Sequence, residues 1–467
     1  MPPFMKENEE PQLPREPGMP TPVAVPTPTV WGSARANSPV DGWIQKLEKD
    51  DPAFKSLYVM SFRTIESADF IRLCAAIGKS KFLEEFHTGR ELVENDLDAL
   101  SQCLSVNSSL KILSVGNKNF GADGMERIFP GLAKNTSLRI LDLENKGLGD
   151  RGMEHLARLF ESTADIQIES MKLGCNGFTD IGASALLKAL SSNTSITSID
   201  MHGNAFGSAD TGAALGAWLA FKECALQSLN LSTTEGLSED FVVKVAQEGL
   251  ARNTSLTRLN LNECAVGDAG VTALAEALAD NKSVSSLFLD GCSITAVGAS
   301  QLQALLTANT QIKELIIRNN AIHEEGFNAI CSALRTNTTL DVLECGGCGV
   351  SRVAQIGSET SITHLGLFNN GLGDAGIASI LYAVEANNKT SLNSLVSLDV
   401  SGNEISDDGF RSFCERIGAD LELLPALTTL EIGGNKADDK EAWVSVCEAL
   451  EKTRPGIRVI WGDGHKY

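Results

Sequence analysis

The sequence predicts an α/β solenoid, a curved horseshoe with parallel strands on the concave face and helices on the convex face. Three observations predict it. One frame recurs along most of the chain: "LRILDLENKGLGDRG" begins at Leu138, "LTRLNLNECAVGDAG" at Leu256, "VSSLFLDGCSITAVG" at Val284 and "ITHLGLFNNGLGDAG" at Ile362. Each copy joins two periods, an alternating LxxLxL stretch and a stretch with helical spacing. The chain is 43% hydrophobic but only 6% aromatic, so aliphatic side chains must build its core.

Units start at Leu110, Leu138, Ile168, Ile196, Leu226, Leu256, Val284, Ile312, Leu340, Ile362, Leu395 and Leu427, most of them 27 to 30 residues apart. Weaker units start near Phe54 and Leu83, and a partial one at Ile457. The LxxLxL portion reads as a short strand. The portion after the turn, as in "GDAGVTALAEALADN", places Val271, Leu274, Ala275 and Leu278 on one helical face. Asp268 is expected to cap the start of its helix, and Asn281 to sit at the helix end. A single unit cannot bury its apolar face, whereas stacked units share one continuous core.

The shared frame, L-x-x-L-x-L-x-x-(N/C)-x-(L/V/I)-x-x-x-G, resembles leucine-rich repeats of the ribonuclease-inhibitor type over about residues 54–461. Repeat domains of Ran GTPase-activating proteins and of innate-immune receptors share the frame. A weaker likeness over residues 47–135, where "LEKDDPAFKSLYV" precedes the repeats, is to tropomodulin. The resemblance implies the fold. It leaves three functions open: an interaction scaffold, a regulator of a Ran-type GTPase, or an actin-binding or axonemal role.

The ninth frame position implies a ladder of turn residues bonded to loop backbone. Its rungs are Lys118, Lys146, Asn176, Asn204, Thr234, Cys264, Cys292, Asn320, Cys348, Asn370, Asn403 and Asn435. This register decides the reading of Cys345-Gly-Gly-Cys348. The spacing suits disulfide exchange or zinc, but Cys348 falls on a rung and Cys345 on a core position held elsewhere by Leu143 or Ile317. Gly346 leaves the concave face bare there. The unit from Leu340 spans only 22 residues, too few for a full helix, so the convex layer should thin near 346–361.

Other motifs read as structure. "AIGKS" at Ala76–Ser80 has Leu73 where a phosphate-binding loop needs glycine, so Gly78 is taken as a helix-ending glycine. Asn-x-Ser/Thr triplets at Asn107, Asn135, Asn193, Asn253, Asn281, Asn337 and Asn388 follow the repeat rather than marking glycan sites. No catalytic residue, metal ligand or cofactor is expected.

Four segments are expected: a proline-rich tail at 1–42, a capping region with weak repeats at 43–109, the repeats at 110–456 and a closing strand at 457–467. Eleven of the fourteen prolines fall within residues 1–52. Pro11, Pro14, Pro17 and Pro20 line one edge of a polyproline helix, a docking peptide for an SH3 or WW domain or a solvated linker. The N-terminus lacks the pattern of a secretory signal, and eleven scattered cysteines fit a reducing compartment, so the cytoplasm is expected. A formal net charge of −21 argues against nucleic acid and anionic membranes and favours a partner with a basic surface.

That partner is expected on the outward strand positions, the third, fifth and seventh of the frame. The candidate residues are Asp142, Glu144, Asp200, His202, Arg258, Phe288, Asp290, Ile316, Arg318, Glu344, Phe368, Asp399 and Glu431, with Phe288, Ile316 and Phe368 as exposed apolar anchors among charge.

Overall fold

A computed structural model describes residues 40–461 apart from 117–118, 163–165, 354–355 and 357–359. The proline-rich residues 11–20 and the rung Lys118 lie outside the described residues.

Among the described residues, fifteen strands form one sheet in strict chain order, every neighbouring pair parallel. They are β1 (Ser56–Val59), β2 (Glu85–Thr88), β3 (Ile112–Ser114), β4 (Ile140–Asp142), β5 (Ser170–Lys172), β6 (Ser198–Asp200), β7 (Ser228–Asn230), β8 (Arg258–Asn260), β9 (Ser286–Phe288), β10 (Glu314–Ile316), β11 (Val342–Glu344), β12 (His364–Gly366), β13 (Ser397–Asp399), β14 (Thr429–Glu431) and β15 (Arg458–Ile460). The helices are α1 (Asp41–Glu48), α2 (Ser67–Lys79), α3 (Glu94–Val106), α4 (Gly121–Lys134), α5 (Gly149–Ser162), α6 (Asp180–Ala189), α7 (Ala209–Leu219), α8 (Glu239–Val245), α9 (Gly267–Leu278), α10 (Ala296–Ala308), α11 (His323–Ala333), α12 (Gly373–Glu385), α13 (Asp407–Ala419) and α14 (Lys440–Thr453). The last turn after α8 is π-helical, Ala246–Leu250. No helix among the described residues is long and apolar enough to cross a membrane.

Parallel strands need a crossover, and each helix supplies one. The fourth and sixth frame positions, such as Leu141 and Leu143, are fully buried between sheet and helices. The helical face read from the sequence is buried too: Val271, Leu274, Ala275 and Leu278 pack inward on α9. After the strand the chain must turn sharply. The eighth frame position takes the left-handed region at Asn145, Cys175, Glu263, Asn319 and Asn369, and glycine holds it at Gly203, Gly347 and Gly402.

The rungs then bond as the register implies. Asn320 Nδ2 donates to the carbonyls of Leu289, Ile317 and Arg318, and its Oδ1 accepts from the Cys292 and Ile294 amides. Cys348 keeps the donor role with its sulfur: Sγ donates to the Ile317 carbonyl at 3.2 Å. Lys146 fills its rung by donating Nζ to the carbonyls of Gly116 and Glu144.

Two further ladders differ from the sequence reading in register. Asp268 does not cap its own helix; no side chain caps α9. Its carboxylate accepts from Thr295 N, Thr295 Oγ1 and Gly298 N at the start of α10. The same reach forward joins Asp150 to Thr179 and Asp374 to Ser406. Because Asp268 follows a left-handed glycine in the first turn, it lies beside the next unit rather than over its own helix end. Asn281 likewise serves its neighbour, donating Nδ2 to the Leu250 and Asn253 carbonyls of the preceding unit. Asp268→Ala is therefore expected to cost about 1–2 kcal/mol, the usual loss of an N-cap. Hydrogen exchange should speed up at the start of α10 and stay unchanged at the start of α9.

Two smaller corrections follow from packing. Asn388 is exposed and off the ladder; Asn387 takes the helix-end role, donating to the Ile356 carbonyl. Gly78 does not end its helix in a left-handed turn. It sits inside the last turn of α2, where a Cβ would come within 3.1 Å of Val106, so close packing explains it.

The convex layer is interrupted where the short unit falls. No helix occurs among the described residues between β11 and β12, where Val350, Val353 and Ile356 are buried. Val353 N donates to Ser379 Oγ and Asn387 Nδ2 to the Ile356 carbonyl, fixing that chain to the next unit. A cleft of about 290 Å³ remains beside it, between Glu324 and Asn328 of α11 and Tyr382 of α12.

Candidate binding face

The outward strand residues form three rows across the sheet. Parallel register sets the middle row as Asp142, Lys172 and Asp200, and further along as Phe288, Ile316, Glu344, Gly366, Asp399 and Glu431. The candidate residues therefore gather into two groups. Asp142, Glu144, Asp200 and His202 lie over β4–β6. Arg258, Phe288, Asp290, Ile316, Arg318, Glu344, Phe368, Asp399 and Glu431 lie over β8–β14.

The apolar members of the second group are not exposed anchors. Phe288, Ile316 and Phe368 are 5%, 6% and 7% exposed. Strands less than 5 Å apart let long side chains close over their neighbours. The Arg258 guanidinium lies 4.0 Å from the Phe288 ring centroid. The Phe368 ring occupies the space a Cβ at Gly346 would need, so Gly346 is buried beneath it and leaves no bare patch.

Charge is compensated unevenly along this group. Arg318 Nε lies 3.0 Å from Asp290 Oδ2, and Arg258 Nη1 lies 3.8 Å from Glu314 Oε2. Beyond them the row turns acidic. Glu344 leans over β12 into the side-chain space that Gly366 leaves empty. Burial pushes its carboxyl up to about 7, Asp399, Glu431 and Glu314 push the same way, and Arg318 opposes them. The sheet thus carries a half-buried carboxylate held in an unfavourable field.

In the first group Lys172 Nζ stands 3.9 Å from Asp142 Oδ2. His202 Nδ1 is 2.7 Å from Asp200 Oδ1, and its Nε2 is 3.5 Å from Cys175 Sγ. Cys175 is the one exposed cysteine of the eleven. Sequence reading passed over it because it is far from His202 in the chain. The frame carried the signal: the eighth position of one unit lies against the seventh of the next.

A second feature was also missed. At the N-terminal end Tyr58, Met60 and Phe62 are 46%, 51% and 71% exposed. Tyr58 stacks on His87 and donates its hydroxyl to Glu85. These residues occupy the fifth, seventh and ninth frame positions of the weak first unit. Phe62 stands where later units place a rung, yet it is exposed.

Cys345 and Cys348 lie where the register puts them, both buried. Burial pushes the Cys345 thiol well above its ordinary value and Cys348 up to about 11, so neither is poised as a thiolate. No group of three or more potential metal-ligating residues occurs among the described residues.

A leucine-rich repeat family model matches residues 134–157, 252–275, 358–381 and 391–414. Among solved structures, the chain is similar to one from the yeast Rad7–Elc1 complex, at 16% identity, covering 91% of this chain and 90% of that one with a TM-score of 0.44. It is also similar to an internalin, InlF, from Listeria monocytogenes, at 17% identity, covering 91% and 94% with a TM-score of 0.46. No curated protein sequence matches the chain significantly.

Proposed function

We propose that this leucine-rich repeat chain is a non-enzymatic scaffold whose strand face holds a protein partner with a basic surface. The observation that carries this reading is the acidic run Glu344–Gly366–Asp399–Glu431, where burial and like charge hold Glu344 up to about 7. A lysine or arginine from a partner placed over Gly366 would relieve that field, so binding and ionisation reinforce each other. The net charge of −21 steers basic partners toward the face from a distance. The proline-rich residues 11–20 supply a second attachment, for an SH3- or WW-type protein, and the setting is a reducing cytoplasm.

A 20-residue lysine-rich peptide, followed by fluorescence anisotropy, tests the reading. Glu344→Gln with Glu431→Gln is expected to weaken it about fivefold at low salt, the scale of two partly screened ion pairs. The salt dependence should flatten in the variant. Equal affinity and equal salt slope for both proteins would remove the strand face from the account.

A further inference from the structure

We infer that Cys175, His202 and Asp200 form a nucleophilic thiol site on the strand face, one that takes up a positively charged disulfide by thiol–disulfide exchange. This goes beyond the scaffold reading, because it concerns covalent chemistry over β5–β6 rather than the acidic run over β11–β14.

The geometry has the parts that activate a nucleophile: thiol, base and a group that orients the base. Asp200 Oδ1 lies 2.7 Å from His202 Nδ1, which fixes the proton on that nitrogen and turns the Nε2 lone pair toward Cys175 Sγ, 3.5 Å away. Asn230 Nδ2 donates to the other Asp200 oxygen at 3.0 Å and holds the carboxylate in place. Two glycines make the room. A side chain at Gly174 would collide with the His202 ring, and one at Gly203 would meet Cys175 Sγ at 2.8 Å. Cys175 sits in the left-handed region at φ 55°, the turn position shared by Asn145, Thr233 and Glu263 in other units, and its side chain is exposed.

The surroundings select the reaction. Acyl transfer needs backbone donors for a developing oxyanion, but the Cys175 amide is bonded to the His202 carbonyl and the Gly203 amide to that of Ser232. Exchange with a disulfide needs no such donors. The sequence of events balances without an external oxidant. His202 Nε2 takes the Cys175 proton and the thiolate attacks one sulfur of the disulfide. A new S–S bond to Cys175 forms as the old one breaks, and the leaving thiolate recovers the proton from His202. The other ten cysteines are buried, so none resolves the product and the mixed disulfide persists until an outside thiol reduces it. Partial burial raises the thiol's pKa, and the charges of Glu144 and Asp200 push the same way. A resting thiolate is therefore disfavoured, transfer to His202 within the step matters, and a cationic disulfide is preferred to an anionic one.

Cystamine, a cationic disulfide, is the probe, with the full chain and mass spectrometry to locate the adduct. One adduct at Cys175 is expected under native conditions. His202→Gln should slow its formation tenfold or more at pH 7, the low end of general-base contributions, while the urea midpoint stays unchanged. The variant, reacting through free thiolate alone, should climb about tenfold per pH unit, whereas the wild-type rate should climb less steeply. Dithiodiglycolate, an anionic disulfide, should react more slowly than cystamine, with the ratio shrinking in Glu144→Gln. Equal rates for wild type and His202→Gln, a wild-type rate that climbs tenfold per unit throughout, or first modification at another cysteine would each overturn the inference. None of these outcomes bears on peptide binding over β11–β14.

Discussion

Asn320→Ala is expected to destabilise the protein by about 3 kcal/mol, because it strands several buried backbone groups at once, each worth roughly 1–3 kcal/mol when left unmade. The side chain satisfies three carbonyls and two amides drawn from neighbouring turns. Asn320→Cys should cost far less, about 1 kcal/mol, the price of weaker sulfur hydrogen bonds at unchanged topology. The chain itself shows why: Cys264, Cys292 and Cys348 hold the same position and donate to the corresponding carbonyls of Leu231, Leu261 and Ile317. Urea unfolding followed by circular dichroism gives the two costs. Hydrogen exchange over residues 289–322 shows whether the loss is local, as a nearest-neighbour stack requires. If alanine and cysteine cost the same, the rung acts by filling space and the hydrogen-bond account fails.

That ladder was legible in the sequence because it depends on register alone. Once the frame is set, Cys348 becomes a rung and Cys345 a core residue, and the short unit after it foretells that no helix occurs among the described residues there. What stayed hidden depends on what a side chain reaches across the stack. Asp268 and Asn281 were placed correctly on their own units, yet both bond to adjacent ones. Phe288 and Phe368 were placed correctly on the outward rows, yet long neighbours and a glycine bed bury them. The Cys175–His202 pair joins residues 27 apart, so no local motif could show it. Tyr58, Met60 and Phe62 escaped notice because the first unit matches the frame poorly.

The pairing of neighbours also explains why the acidic run is uneven. Where an arginine lies one or two strands away, as for Asp290 and Glu314, the carboxylate is held by a cation of the chain. Glu344 has a glycine on one side and buried apolar Ile316 on the other in its row. Its charge is thus set against Asp399 and Glu431 two and three strands on, which a larger residue at 366 would screen off.

Glu344→Gln is accordingly expected to stabilise the free protein at pH 8, by about 2 kcal/mol after discounting for partial exposure. The folded carboxyl titrates at about 7 against an ordinary value of 4.5, so the folded state holds its proton more tightly than the unfolded chain. Stability from that proton is complete below 4.5 and is lost as pH rises through about 7. Glutamine cannot ionise and avoids the loss. Wild type and variant should therefore have matching urea midpoints near pH 4 and diverge steadily up to about pH 8, the other carboxylates cancelling between the two proteins. Midpoints that differ by the same amount at every pH would mean that packing, and not ionisation, sets the effect. The same substitution should weaken the lysine-rich peptide, since the charge that costs stability in the free face is the one a cation relieves. A residue that lowers stability alone and raises affinity when covered is kept for what covers it, which is why the two measurements on Glu344→Gln belong together.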